Sequence, residues 1–234
     1  MAHETFVNVA LPEDLLLRAS SSGERDNAIL SNRYVLGWPR TELIRELQNA
    51  VQQELEEGGE ILIYPFGFMR LQFMKHRKCN GYCLHIWMSD LVEENYPHAH
   101  IFDMDSRLLS GSMRNLDWHV DPSPDGEHVC YWPEHRDDIA SYQRFPGRYR
   151  LTLKKDSILR SGDTYTVAKG AFHSSFPVWD GTPVITLIRK TNIDPDGAPV
   201  NVLPADRPHP SAYKFTPFSQ EEALRRLESA LNAL

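Results

Sequence analysis

Three histidines in two separate parts of the chain carry the clearest chemical signal. His98 and His100 stand two residues apart, and His173 follows a glycine-containing turn further along the chain. Side chains at positions i and i+2 of a β-strand point to the same face of a sheet, so the first two imidazoles would lie side by side. A third imidazole from another strand would close three faces of a divalent cation. The pattern predicts a metalloenzyme.

The first stretch resembles the first motif of the cupin superfamily. That motif is His-x-His, three or four residues, Glu, six residues and Gly. This chain has His98, His100, Met104 and Gly111 at those positions, with methionine in place of the glutamate. The glycine that usually precedes the first histidine is absent at the expected offset.

The second stretch resembles the second cupin motif, which is Gly, five residues, Pro-x-Gly, two residues and His. The matching residues are Gly162, Ala168, Gly170 and His173, with alanine in place of the proline. The interval from Gly111 to Gly162 is within the range usual for the family. Two independent spacings therefore agree, over roughly the central third of the chain.

The resemblance implies an all-β fold, a cupin-type β-barrel or jelly roll with N-terminal helices and a C-terminal helix. It implies that His98, His100 and His173 bind one metal, as in the three-histidine non-heme iron cupins similar to thiol dioxygenases. Fe(II) is the expected metal, although imidazole ligands also suit Zn, Ni, Mn or Cu. The expected reaction is a dioxygenase-type oxidation of a small organic substrate that binds the metal, with dioxygen beside it. A non-oxidative isomerase or lyase and a ligand-binding cupin without turnover remain alternatives.

Asp105 is an alternative fourth ligand. The alternation that sends both histidines of the first motif inward also sends Met104 inward and Asp105 outward. A β-bulge that shifts the strand by one residue would reverse this and bring the carboxylate to the metal.

A different metal site is conceivable on the next strand. His119-x-Asp121 together with His173 resembles the two-histidine, one-carboxylate facial triad of 2-oxoglutarate oxygenases. However, His119 and Asp121 alternate with apolar residues that are expected to face the interior, which would turn the pair outward. These apolar residues are Leu116, Trp118 and Val120.

Three further residues are candidates for substrate contact or catalysis. Arg189 or Tyr165 would orient the substrate in the pocket. His85 shares one strand face with Cys83 and Trp87, and on a barrel wall it would serve as a base or a substrate contact near the metal.

Composition limits the classes of partner. The net charge of −7 argues against nucleic acid or an anionic membrane. No secretory signal is visible, and no apolar run approaches the roughly 20 residues that span a bilayer. The three cysteines have no zinc-type spacing and suggest reduced thiols in the cytoplasm. The expected partners are a small-molecule substrate and dioxygen, with a homodimer as an open alternative.

One cupin domain is predicted over residues 1–234, with N-terminal helices outside the barrel at about 1–58, a barrel core at about 60–190, and an extended arm and terminal helix at 191–234. The expected helices are Pro12–Arg18, Thr41–Glu57 and one opening at the capping box of Ser219. Residues 121–147, rich in Pro, Asp and His, are predicted to be an inserted loop that covers the mouth of the barrel. The predicted strands are Glu60–Tyr64, Gly67–Met74, Tyr82–Met88, His98–Ser110, Ser112–Val120, Tyr149–Leu153, Thr164–Val167 and Val184–Arg189.

Overall fold

A computed structural model describes residues 35–56, 59, 61–64, 67–73, 81–88, 95–136, 139–207, 213–214 and 220–234. These residues form two helices and fourteen strands. In chain order they are α1 (Arg40–Glu56), β1 (Ile61–Tyr64), β2 (Phe68–Phe73), β3 (Gly81–Trp87), β4 (His98–Ala99), β5 (Asp103–Ser110), β6 (Ser112–Pro122), β7 (His128–Arg136), β8 (Ile139–Arg144), β9 (Tyr149–Arg160), β10 (Thr164–Val167), β11 (Phe172–Val178), β12 (Val184–Thr191), β13 (Val200–Pro204), β14 (Tyr213–Lys214) and α2 (Gln220–Asn232).

The strands make two antiparallel sheets. The first sheet has the order β1-β2-β3-β12-β5-β10, and the second has the order β13-β4-β11-β6-β9-β7-β8-β14. Since β13 also pairs with β7, six strands of the second sheet close into a ring. The two sheets face each other, because Met113 of the second sheet packs in one buried cluster with Phe68, Trp87, Leu108 and Val184 of the first.

The first sheet has two faces of different character. Its outer face is apolar and is covered by both helices, so that Leu47 of α1 and Leu227 of α2 share one buried cluster with Leu84 and Leu187 of the strands. Helix α1 buries Leu43, Leu47 and Val51 against the sheet. Alternation along the strands turns the opposite set of side chains toward the second sheet. This inner face is the one that meets the histidines.

The predicted strand His98–Ser110 is two strands. The chain bends at Ile101–Phe102, so that β4 belongs to the second sheet and β5 to the first. The bend carries the chain from one wall to the other. The predicted inward orientation of Met104 on β5 is nevertheless confirmed, since it packs in a buried cluster with Cys83, Val167 and Ile188.

The prediction of an inserted loop at residues 121–147 was wrong. This stretch contains the hairpin β7–β8, which pairs with β9, β13 and β14 and extends the second sheet. Its Pro, Asp and His residues are typical of loops, but Val129 and Tyr131, two positions apart on β7, are buried on one face of the sheet. The strand β11 was missed for a similar reason, because serines and Pro177 weaken its strand signal. The predicted arm after residue 191 also contributes a strand, β13.

The predicted fold class is confirmed. The chain is mostly β, with a closed antiparallel ring of strands, a helix before the strands and a helix after them, as expected of a cupin-type barrel. The proposed helix Pro12–Arg18 lies outside the described residues, and the division into one domain stays a prediction. Neither described helix has the length and apolar character needed to cross a lipid bilayer.

The packing of the helices on the first sheet can be tested with two matched leucine substitutions. Leu187 is fully buried beneath the helices, whereas Leu153 on β9 is 45% exposed. We expect Leu187→Ala to lower the free energy of unfolding by about 2–5 kcal/mol, because it leaves a cavity in the core. Leu153→Ala should change it by only about 0.5 kcal/mol. Urea denaturation measures both, and equal losses would contradict this packing.

Candidate metal centre

The site is built where β4 and β11 run side by side. His173 at the start of β11 lies directly opposite His98 on β4 in the antiparallel register. His100 follows β4, and its carbonyl accepts a hydrogen bond of 2.9 Å from the Gly170 amide. Gly170 has φ +77°, a left-handed conformation that suits glycine, so the turn before β11 holds the third histidine to the first two.

The three imidazoles form one compact group. Their ring centroids are 4.6–5.1 Å apart, and each ring offers a nitrogen within 4.8 Å of the other two. The Nε2 atoms of His100 and His173 are 3.0 Å apart. The structure therefore brings together the three histidines that the two motifs singled out.

Hydrogen bonds orient two of the rings. The Nδ1 atom of His98 is 3.0 Å from the carbonyl oxygen of Tyr96, and that of His173 is 3.4 Å from Oδ1 of Asn115. Asn115 is itself oriented, since its Oδ1 accepts from Ser175 Oγ at 2.8 Å and its Nδ2 donates to Asp117 at 3.0 Å. Both contacts with the rings end on acceptor oxygens, so each Nδ1 carries the proton. The Nε2 lone pairs of His98 and His173 are thereby left for a ligand.

Burial keeps the rings neutral. It lowers the pKa of His98 to about 4, since a charged imidazolium loses its hydration inside the protein. The pKa of His100 is lowered first by burial and then by the charges of His98 and Lys190. For His173 the causes are burial and then the other two histidines. At neutral pH the site thus presents three uncharged nitrogen donors.

The donors fit a divalent transition metal. Bonds from a metal to imidazole nitrogen are about 2.0–2.1 Å long, so two ligands at right angles would have nitrogens about 3.0 Å apart. The Nε2 pair of His100 and His173 has this separation. Imidazole is a borderline donor that suits zinc, copper, iron or nickel. With three protein ligands, further positions stay open for small molecules.

Two carboxylates lie near these strands, on different faces. Asp105 points away from the histidines toward Arg189, 3.8 Å distant. The prediction of Asp105 as a fourth ligand is not supported by this placement, since no bulge turns β5 inward at that point. Asp117 lies opposite His173 in the β6–β11 register, on the same face. Asp117 and Asn115 were missed from the sequence, although their alternation on β6 was a visible signal.

The facial-triad alternative depends on where His119 and Asp121 lie. Nε2 of His119 is 2.7 Å from Oδ1 of Asp121, and both side chains are about half exposed. The prediction that the apolar residues of β6 face inward was wrong. Strand alternation places His119 on the same face as Asn115 and Asp117, which lies toward the site. Within the described ranges, the group of potential ligands consists of the three motif histidines, without this pair.

A groove opens beside Asp117 and provides room for a small molecule. It encloses about 420 Å³ between β6 and the segment that joins β10 to β11. Its lining mixes polar and apolar side chains and includes Asp117, His119, Lys154, Thr166, Val167 and Phe172.

The three catalytic candidates lie in different places. Arg189 is on the outer side of β12, paired with Asp105, so the prediction that it orients a substrate is not supported by its position. Tyr165 faces the interior, where burial raises its pKa and its hydroxyl donates to the sulfur of Met113 at 3.9 Å.

His85 also lies on the inner face. Its ring stacks on Phe68 with centroids 4.2 Å apart. Its pKa is lowered by burial, and further by the positive charges of Arg70, Lys190 and His100. His85 is therefore neutral at physiological pH. Lys190 is a further interior residue that the sequence alone did not single out.

Comparisons with known proteins add the following findings. No family model matches the chain, and no curated protein matches it. Among solved structures, hydroxypropylphosphonic acid epoxidase from S. wedmorenis is 9% identical with a TM-score of 0.36, covering 58% of this chain, and the chain spans only 56% of the epoxidase. An RmlC-like cupin from Shewanella frigidimarina is 17% identical with a TM-score of 0.32, covering 60% of this chain and 89% of its own. A structure of DMSP lyases is 14% identical with a TM-score of 0.35, covering 79% of this chain and 88% of its own. Likeness of this degree carries no argument about activity.

The ligand assignment predicts a selective loss of metal. The His98→Ala and His173→Ala variants should each fall from about one bound metal per chain to near zero, because two imidazoles cannot hold the ion tightly. His119→Ala, which removes an exposed histidine, should retain the metal. Elemental analysis after loading with Fe(II) or Ni(II) measures this. Full metal content in His173→Ala would contradict the assignment, provided circular dichroism shows that the variant is folded.

Because Asn115 orients His173, its replacement is predicted to weaken metal binding without abolishing it. In Asn115→Leu the ring loses its acceptor, so we expect metal affinity to fall by about 10–100-fold, as for other residues that orient metal-binding histidines. Competition with a chromophoric chelator measures the affinity. The matched control is Asn49→Leu on the exposed side of α1, which should leave it unchanged. An unchanged affinity in Asn115→Leu would show that this hydrogen bond does not position the ligand.

Proposed function

We propose that the protein is a metal-dependent enzyme, a non-heme Fe(II) dioxygenase of small organic molecules. His98, His100 and His173 would hold the ion. The observation that carries the proposal is the convergence of three neutral imidazoles, each buried or half-buried, whose nitrogen donors lie within 4.8 Å of one another. When bound, the metal would supply a Lewis acid and a place where substrate and dioxygen meet.

The charge of the site indicates which kind of substrate it would bind. Three neutral ligands do not reduce the positive charge of a divalent ion, in contrast to sites with a carboxylate ligand. Met104 stands where the cupin motif has a glutamate, and it is buried in an apolar cluster with Cys83, Val167 and Ile188. A substrate that brings a negatively charged donor atom to the metal would supply the missing charge.

The protein's own side chains would shape the reaction around the metal. Burial of His98 and His173 excludes bulk water from their side of the ion. Tyr165 and His85 are the interior groups able to exchange a proton with a bound substrate, the former through its hydroxyl and the latter through its neutral ring.

Oxygen uptake tests the proposal. The protein, loaded anaerobically with Fe(II), would be mixed with panels of small thiols and small carboxylates in an oxygen electrode. We expect uptake with at least one compound, dependent on Fe(II), absent from the zinc-loaded protein and lost in His173→Ala. Leu153→Ala, at an exposed position of β9 outside the groove, serves as the control and should stay active.

Each alternative has its own signature in the same experiment. Conversion of a substrate without oxygen uptake would replace the oxidative proposal with a non-oxidative isomerase or lyase. Uptake that requires 2-oxoglutarate and disappears in Asp121→Ala would replace it with the facial-triad mechanism. Full Fe(II) occupancy with neither uptake nor conversion would overturn the enzymatic proposal in favour of a ligand-binding cupin.

A further inference from the structure

The outer face of the second sheet carries exposed apolar side chains. Met113 packs between the sheets and so marks the inner face of β6, and the alternate residues of this strand point outward together with their cross-strand partners on β9 and β11. Among the described residues, four large apolar side chains are exposed. Three of them are on this outer face, with exposed fractions of 45% for Leu153, 51% for Ile158 and 38% for Val178.

These residues belong to one continuous surface across three strands. Trp118 on β6 lies between its cross-strand partners, Phe172 on β11 and Leu153 on β9. Side chains of directly paired residues are close enough to touch across an antiparallel sheet. We call the outward residues of Ser112–Val120, together with their cross-strand partners on β9 and β11, the apolar face.

An ion pair lies at the centre of the apolar face. Arg114 is placed between Phe176 and Ile158, its cross-strand partners. Its guanidinium donates to both carboxylate oxygens of Asp156, at 2.9 and 2.6 Å, and both side chains remain exposed. A two-fold axis through this pair would set Arg114 of each copy beside Asp156 of the other. The face is therefore complementary to itself in charge.

The apolar face has the size of a small specific contact. Three strands about 4.8 Å apart, over about nine residues that rise about 3.3 Å each, span roughly 400 Å² in projection. An exposed apolar patch of several hundred Å² marks an interaction site on many proteins. Because side-chain relief adds to the projected area, two such faces would together bury close to the roughly 1,200 Å² at the lower end of specific interfaces.

We propose that two copies of this chain associate through the apolar face, as a symmetric dimer with their second sheets packed face to face. A second copy is favoured over a lipid surface, because a lipid surface would bury the pair of Arg114 and Asp156 without offering new partners, at a cost in desolvation. The facing sheets would be about 10 Å apart, as in other packed sheets. The three histidines take no part in the contact, so the proposal is independent of the metal and of the proposed function.

Sedimentation velocity of the full-length chain at increasing concentrations tests the association. We expect a change from monomer to dimer with a Kd of about 10–100 µM, as suits a contact of this size. Leu153→Asp, which places an unpaired charge in the contact, should raise the Kd at least about tenfold. Asn49→Asp, on the exposed side of α1, adds the same charge elsewhere and should leave the Kd unchanged. In dilute solution the protein is expected to be a monomer by mass action, so the Leu153→Ala controls report on the single chain.

Charge reversal tests how the two copies face each other. Arg114→Glu makes the centre of the apolar face acidic and Asp156→Arg makes it basic, so like charges should keep each variant from pairing with itself. A mixture of the two variants should form a heterodimer with a Kd no higher than that of the unmodified dimer, because opposite charges meet again across the axis. Both positions are exposed, and circular dichroism would show that each variant is folded.

Three results would overturn the proposal. The first is a protein that stays monomeric up to its solubility limit. The second is a dimer whose Kd is the same in Leu153→Asp, since its contact would lie elsewhere. The third is a mixture of the charge-reversed variants that does not associate. Removing metal with a chelator should leave the Kd unchanged, so a failure of the proposed function and a failure of the dimer are distinguishable.

Discussion

The pairing of β11 with β4 is the contact on which the candidate site depends. It sets His173 against His98, although 75 residues separate them, and β4 itself has only two residues. Such a short strand needs support on both sides. On the other side β13 pairs with it, placing Asn201 opposite His98, and the Val202 amide donates to the Pro97 carbonyl. Closure of the ring and assembly of the three-histidine group are therefore one structural event, because the strand that carries His98 is held by both neighbours.

The two faces of the first sheet have different roles, because the outer face packs against the helices and the inner face holds polar groups. Its outer face binds α1 and α2 through a large apolar cluster, which provides the burial that a barrel with a polar interior lacks. This arrangement leaves the inner face free to hold groups that are costly to bury, such as Lys190 and His85. The alternation of β12 shows the principle within one strand, since Leu187 packs under the helices while Lys190 faces the histidines. The apolar clusters between the sheets are smaller than the one beneath the helices, so part of the inner face is left to polar groups.

The sequence predicted the parts of the structure that depend on local spacing. The helix predicted over Thr41–Glu57 follows from short-range periodicity, and the structure has it at Arg40–Glu56. The two histidine motifs were matched by their resemblance to cupin spacing, and the structure brings their three histidines into one group. It did not predict contacts that depend on pairing between distant strands. Asn115 touches His173 only because β6 and β11 pair in a particular register, and Lys190 approaches His100 across the space between the two sheets. Neither neighbour can be derived from a single segment.

The errors on β6 and β11 have one physical cause. The rule that apolar residues face inward holds where the interior is a hydrophobic core, but it reverses where a wall surrounds a polar site. On β6 the inward set contains Asn115 and Asp117, and on β11 it contains His173 and Ser175, so all four are cross-strand neighbours on one polar face. Trp118 accordingly lies on the other face, where its indole donates to Ser174. When the polar residues of a strand pair in register with a histidine of a metal-binding motif on the neighbouring strand, the polar face should therefore be assigned inward. This criterion needs only the sequence and one assumed strand pairing.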